Sequence, residues 1–133
     1  MTNQDFAKSY RANAQQILKE AESLFENKAW HLVVRRSQEC VELLLKALLR
    51  EAGIEVPKLH DVGSLLLSHS DRFPNLPIER LVAISRRLRQ EREISFYGDD
   101  LTQTPPDKLY DQQDAEQALR DTRFAYSTLR SQT

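Results

Sequence analysis

The chain has 133 residues, of which 40% are hydrophobic and 29% are charged, and it contains only 3 glycines and 5 prolines. This length suits one compact domain with a substantial core, and we expect residues 1–133 to form a single domain rich in helix. The formal net charge of -1 argues against a surface coated with nucleic-acid-binding charge, so a basic patch has to be found by position.

The composition also limits the chemistry that the chain can support. Cys40 is the only cysteine, which excludes an intrachain disulfide and a cysteine-based zinc site. The first residues lack the apolar core of a signal peptide, and no apolar run approaches the ~20 residues that span a bilayer. The three histidines do not pair on one helical face as metal ligands. We therefore expect a soluble cytoplasmic protein with no metal, no cofactor and no membrane contact.

The spacing of apolar residues predicts four long helices and one short helix. We place them at residues 3–26, 29–52, 62–70, 78–96 and from 112 onward. Gly53 suits the end of the second helix, Asp61 suits the N-cap of the short third helix, and Asp111 with Asp114 forms a variant of the capping box before the last helix. Because the connections are short, we predict an all-α, up-and-down helical bundle.

The second helix is apolar over most of its circumference. Its polar residues form one narrow stripe: Arg35, Glu39, Glu42, Lys46 and Arg50. Such a helix must be buried on several sides, which in so small a bundle means a central position or a second copy of the chain. We favour a homodimer, since cyclic dimers are the commonest oligomers.

The densest basic patch lies in the fourth predicted helix and consists of Arg86, Arg87, Arg89 and Arg92. Leu81, Ser85 and Leu88 step along one inward face, and the same step continued reaches Arg92. We therefore predict that Arg92 faces a cleft, where its guanidinium would suit phosphate. The alternatives are a solvated basic face and a buried ion pair between Arg92 and Glu42 or Glu39.

His60 opens the short third helix, where it could bind an anion at the helix N-terminus. Capping or packing is the alternative role, and it is the commoner one for such a residue.

Several segments, taken together in their order and spacing, resemble the HEPN domain, a small helical-bundle family of prokaryotes and higher eukaryotes. The resembling parts are Trp30, the run Ser37–Arg50, Lys58-Leu59-His60, Leu65-Leu66, the run Arg92–Asp99 and Asp114-Ala115. In many members, which are often toxins, an arginine followed after four to six residues by a histidine forms a metal-independent ribonuclease site where two copies meet.

In this chain Arg92 matches the arginine of that pattern, but Tyr97 stands where the histidine would be, and the last histidine is His69. A tyrosine with a pKa near 10 is a poor general base at neutral pH. Other family members bind nucleotides or pair with small nucleotidyltransferases, and this chain is more similar to those.

The resemblance implies a non-catalytic HEPN-type homodimer that binds nucleotide or RNA phosphate, or that serves as partner subunit of a nucleotidyltransferase. Arg92 would hold phosphate with support from Arg89, and Tyr97 would hydrogen-bond or stack. Glu42 and Lys46 would line the cleft. The alternatives are a ribonuclease toxin that uses Arg92 and Tyr97, and a purely structural helical dimer.

Overall fold

The computed structural model describes residues 1–58 and 61–130, which form an all-α bundle as predicted. The helices are α1 (Asn3–Glu26), α2 (Trp30–Glu51), α3 (Val62–Ser68), α4 (Ile78–Gln90), α5 (Ile94–Tyr97) and α6 (Gln112–Leu129). Within the described ranges, the only β pairing is an isolated bridge between Asp99 and Thr104. None of the helices in these ranges combines the length and the apolar character that crossing a bilayer requires.

The helix starts follow from caps that the sequence encodes. The Asp111 carboxylate accepts the Asp114 N–H, and the Asp114 carboxylate accepts the Asp111 N–H, which completes the predicted capping box of α6. The Asp61 carboxylate accepts the Gly63 N–H at 3.0 Å and caps α3. These bonds satisfy N–H groups that the first turn of a helix leaves without partners, so short local patterns were enough to locate these ends.

Helix α2 lies at the centre of the bundle, and none of its residues is exposed. Helix α1 packs along one side of it and α6 along another, while α3, α4 and α5 contact it as well. The prediction that α2 is buried on several sides is confirmed. Since neighbours within one copy account for this burial, the apolar circumference of α2 is no separate argument for a dimer, and the homodimer stays a prediction.

The predicted fourth helix, residues 78–96, is wrong in its last third. Helix α4 ends at Gln90, and the chain turns through Arg92 before the single turn of α5. The Arg92 carbonyl, which a continuous helix would offer to the Phe96 N–H, accepts a hydrogen bond from the Arg35 guanidinium of α2 instead. Phe96 donates to the Glu93 carbonyl at 3.2 Å. A contact between distant parts of the chain therefore holds the turn that follows the helix.

Candidate functional site

Arg92 does not extend the inward face of α4, and the prediction that its side chain continues the buried stripe is wrong. Leu81, Ser85 and Leu88 are buried, but Arg92 lies in the turn after the helix and is exposed. Within the described ranges its guanidinium has no ion-pair or hydrogen-bond partner. Its charge is therefore free to meet a ligand from solvent.

The predicted alternative, a buried ion pair of Arg92 with Glu39 or Glu42, is also wrong. Glu39 accepts from Arg36 at 2.6 Å and lies 3.5 Å from the Arg35 Nε. Glu42 is occupied by cations other than Arg92. Because neither carboxylate reaches Arg92, removing this arginine leaves no unpaired buried charge behind.

The segment that begins at Arg92 exposes large apolar side chains. Ile94, Phe96, Tyr97 and Leu101 are 37%, 50%, 69% and 97% exposed. The rings of Phe96 and Tyr97 meet edge to face, with centroids 5.1 Å apart. Four large apolar side chains so close together in one chain segment form the kind of surface that binds another molecule.

Arg35 fixes this segment to the centre of the bundle. Its guanidinium donates to the Arg92 carbonyl, and its guanidinium carbon lies 5.2 Å from the centroid of the Phe96 ring. The Arg35 side chain is only 19% exposed. Its place on the polar stripe of α2 was visible in the sequence, but its contact with a carbonyl 57 residues away was not.

A sharp bend at Gly98 folds the following residues into a small hairpin. Gly98 has φ 88°, and a Cβ at this position would lie 2.5 Å from the Thr104 carbonyl oxygen. Only glycine fits both the conformation and the space. Asp99 and Thr104 then exchange backbone hydrogen bonds of 2.8 and 3.0 Å, so Leu101 projects from a closed turn.

Tyr110 anchors the far end of this hairpin, and the sequence reasoning missed it. Its hydroxyl donates to the Glu91 carboxylate at 2.5 Å. Burial, followed by this hydrogen bond to a carboxylate, raises the pKa of Tyr110 above its ordinary value. No periodic pattern links the two residues, because they lie on different elements and 19 positions apart.

A second group of predicted residues lies further along α2. The Glu42 carboxylate lies 3.8 Å from the Lys46 Nζ and 3.9 Å from an Arg89 guanidinium nitrogen. These contacts are too long for hydrogen bonds, so Glu42 attracts both cations without fixing their positions. The structure brings Arg89 and Lys46 close to Glu42. About 10 Å of helix separates Glu42 from Arg35 and the Arg92 turn, so the predicted cleft shared with Arg92 stays a prediction.

Asp61 adds a negative group close to Arg89. Burial acts to raise the pKa of its carboxyl, but hydrogen bonds from Ser64 and Gly63, together with the charge of Arg89, lower the pKa below its ordinary value. The N-cap of α3 is thus electrostatically coupled to the basic end of α4.

His60 falls outside the described residues, so its predicted role stays a prediction. His69 Nδ1 lies 3.0 Å from the Leu65 carbonyl and belongs to the end of α3. Across residues 1–58 and 61–130, no three histidine, cysteine, aspartate or glutamate side chains cluster as metal ligands would.

In a comparison with known families, the family model described as HEPN domain matches residues 7–132. Neither the curated proteins nor the solved structures provide a match. The matched range covers nearly the whole chain and includes every candidate residue described above.

Proposed function

Because the chain belongs to the HEPN domain family, we propose that it binds RNA or nucleotide phosphate at the turn from Arg92 to Tyr97 without cleaving it. One observation carries this proposal: Arg92 is exposed, its guanidinium has no partner in the described chain, and two exposed aromatic residues, Phe96 and Tyr97, follow it in the same short segment. A cation for the phosphate and rings on which bases stack are the usual combination in sites for single-stranded nucleic acid.

The charges around this turn predict that RNA or nucleotide binds with modest affinity and that the affinity depends on salt concentration. Arg92 has carboxylates nearby in sequence, namely Glu93, Asp99 and Asp100, which repel phosphate. Binding that depends on one exposed arginine and on stacking should therefore weaken as salt screens the charge.

The absence of cleavage in this proposal follows from the chemistry of the side chains. Ribonuclease members of the family use a histidine after the arginine, and no histidine follows Arg92 in this sequence. Tyr97 can donate and accept hydrogen bonds, but a phenol exchanges protons poorly near neutral pH. A ribonuclease that uses Arg92 and Tyr97 is the alternative reading.

We also propose that the apolar side chains of this segment mediate homodimer formation. A second copy packed on Ile94 and Leu101 would bring a second Arg92 to the same cleft and would double its positive charge. Exposure of these side chains supports a contact at this face. There are two alternatives to this binding dimer. The surface could contact a small nucleotidyltransferase, or the dimer could have only a structural role.

The test is a titration of fluorescently labelled single-stranded RNA, in EDTA and at low salt, read as anisotropy and then run on a gel. We expect wild-type protein to bind intact RNA and Arg92→Ala to bind about tenfold more weakly, since a charge-assisted contact is lost. Arg120→Ala, which removes an exposed arginine of α6, is the matched control and should bind like the wild type.

Three outcomes would count against the proposal. Equal affinities of wild type and Arg92→Ala would remove Arg92 from the site. Cleavage that is lost in both Arg92→Ala and Tyr97→Phe would establish the ribonuclease alternative. Light scattering of the same samples would refute the homodimer if it shows a monomer at tens of micromolar.

A further inference from the structure

A pocket of about 750 Å³ lies at the other end of the α2 polar stripe. It opens between the first half of α1, the end of α2 and residues 53–58, which leave α2. Its volume falls within the roughly 300–1,000 Å³ that is typical of small-molecule sites. Two other pockets of the described residues are smaller, with volumes of about 330 and 130 Å³.

The charges that line this pocket are unbalanced. Lys46, Arg50 and Lys58 supply three positive charges, and Glu55 supplies one negative charge. The local excess of two positive charges contrasts with the chain as a whole, which has a formal net charge of -1. A concave wall with this excess raises the local concentration of anions.

Arg50 is held in place by its neighbours with part of its guanidinium left free. Its Nε donates to the Asn3 Oδ1 at 3.3 Å, and its guanidinium carbon lies 3.7 Å from the centroid of the Phe6 ring. The two terminal nitrogens donate to no group within residues 1–58 and 61–130. A planar donor oriented in this way loses little side-chain entropy when it binds an oxyanion.

The two lysines can adjust to a ligand. Lys58 is exposed and pairs with no described residue. Lys46 lies 3.8 Å from the Glu42 carboxylate, beyond hydrogen-bonding distance, so its ammonium can move towards the pocket without breaking a hydrogen bond.

The remaining wall is apolar and aromatic. Tyr10 is half-buried, and Ile54 and Val56 pack against the hydrophobic core. A pocket of this size exceeds what an inorganic ion fills, and these side chains offer contact to an organic group attached to the anion.

We propose that this pocket binds a small organic phosphate, with its phosphate on Arg50, Lys46 and Lys58 and its apolar or aromatic part against Tyr10, Ile54 and Val56. Two positive charges in excess match a phosphate monoester dianion. Arg50 lies fifteen residues along α2 from Arg35, or about 22 Å, so this site is separate from the Arg92 turn and does not depend on the proposed function.

Calorimetric titration of the whole protein tests the site with AMP and phenyl phosphate as probes, and with adenosine and inorganic phosphate as their separate parts. We expect each ester to bind at least about tenfold more tightly than either part. Lys58→Glu, a change at an exposed position, should weaken both esters at least about tenfold, because it removes one cation and adds a repulsive charge.

Two variants serve as controls. Lys19→Glu makes the same charge reversal on an exposed face of α1 and should leave ester binding unchanged. Arg92→Ala should leave the binding of phenyl phosphate, which is not a nucleotide, unchanged, whereas it should weaken RNA binding, so the two sites can fail independently.

The proposal is overturned if neither ester binds the wild type, or if binding survives both Lys58→Glu and Lys46→Gln. It is equally overturned if inorganic phosphate binds as tightly as the esters, since the apolar wall then contributes nothing. Phenyl phosphate binding that disappears in Arg92→Ala would move the ligand to the other site and would also overturn it.

Discussion

Helix α2 and the segment from Glu91 to Tyr110 contain the same kinds of side chain in opposite surroundings. In α2, Arg35 is largely buried and contacts a carbonyl, a carboxylate and a ring. Arg92, by contrast, has hydrogen bonds to the described part of the chain only through its backbone. Leu44 is fully buried, and Leu101 is almost fully exposed. Surroundings rather than residue type therefore separate side chains that hold the fold from side chains available to a partner.

The largest difference in stability is expected between alanine variants of Leu44 and Leu101. Leu44→Ala should lower the free energy of unfolding by about 2–5 kcal/mol, because it leaves a cavity at the centre of the bundle. Leu101→Ala should change it by less than about 0.5 kcal/mol at low protein concentration. Urea unfolding measures both.

A loss for Leu101→Ala that grows with protein concentration would place this leucine in a dimer interface and would sharpen the comparison. A large loss that does not depend on concentration would contradict its exposure.

A smaller difference in stability is expected between alanine variants of Arg35 and Arg92. Arg35→Ala should cost about 1–2 kcal/mol of stability, since it removes a charge-assisted hydrogen bond to the Arg92 carbonyl from a largely buried position. It should also increase hydrogen exchange at the amides of α5. Arg92→Ala should leave thermal stability within about 0.5 kcal/mol of the wild type. Equal losses of stability in Arg35→Ala and Arg92→Ala would contradict the difference in burial and contacts between the two arginines.

The smallest expected effect concerns Tyr110, a partly buried anchor of the exposed segment. Since the folded protein raises the pKa of Tyr110, the folded state favours the neutral phenol. Stability from this group is present below the ordinary pKa near 10 and declines as pH rises above it. Tyr110→Phe should cost roughly 1 kcal/mol at pH 8 and should show a shallower decline between pH 9 and 11.

Leu101→Ala, which removes no titratable group and lies at an exposed position, is the control and should decline like the wild type. Some decline should remain in every variant, because burial raises the pKa of the Cys40 thiol to about 12. If Tyr110→Phe declined as steeply as the wild type, the anchor would be absent in solution.

The sequence predicted features that depend on residues close together in the chain better than features that depend on residues far apart in it. The bounds of α1, the N-caps of α3 and α6 and the burial of α2 depend on neighbours within a few residues or on helical periodicity, and the sequence predicted them. Arg35, which is far away in the chain, holds the turn after α4, and extrapolating the periodicity through that turn placed Arg92 inward and was wrong.

The same distinction between local and distant interactions applies to the candidate site. Glu42 and Lys46 share a face because of helical spacing, and the structure shows that Arg89 approaches them. The link between Tyr110 and Glu91 gave no signal, since nothing local connects the two residues.

The bend at Gly98 has a consequence for the entropy of recognition. The bend, the two backbone hydrogen bonds between Asp99 and Thr104 and the fixed φ angles of Pro105 and Pro106 already restrict this part of the chain. A flexible loop would lose conformational freedom on meeting a partner, at a cost of about 1–2 kcal/mol for each backbone residue that becomes ordered. In this protein the loop has already lost most of that conformational entropy on folding. The selectivity of this surface should therefore depend on how well a partner fits its shape, and not on rearrangement of the loop on binding.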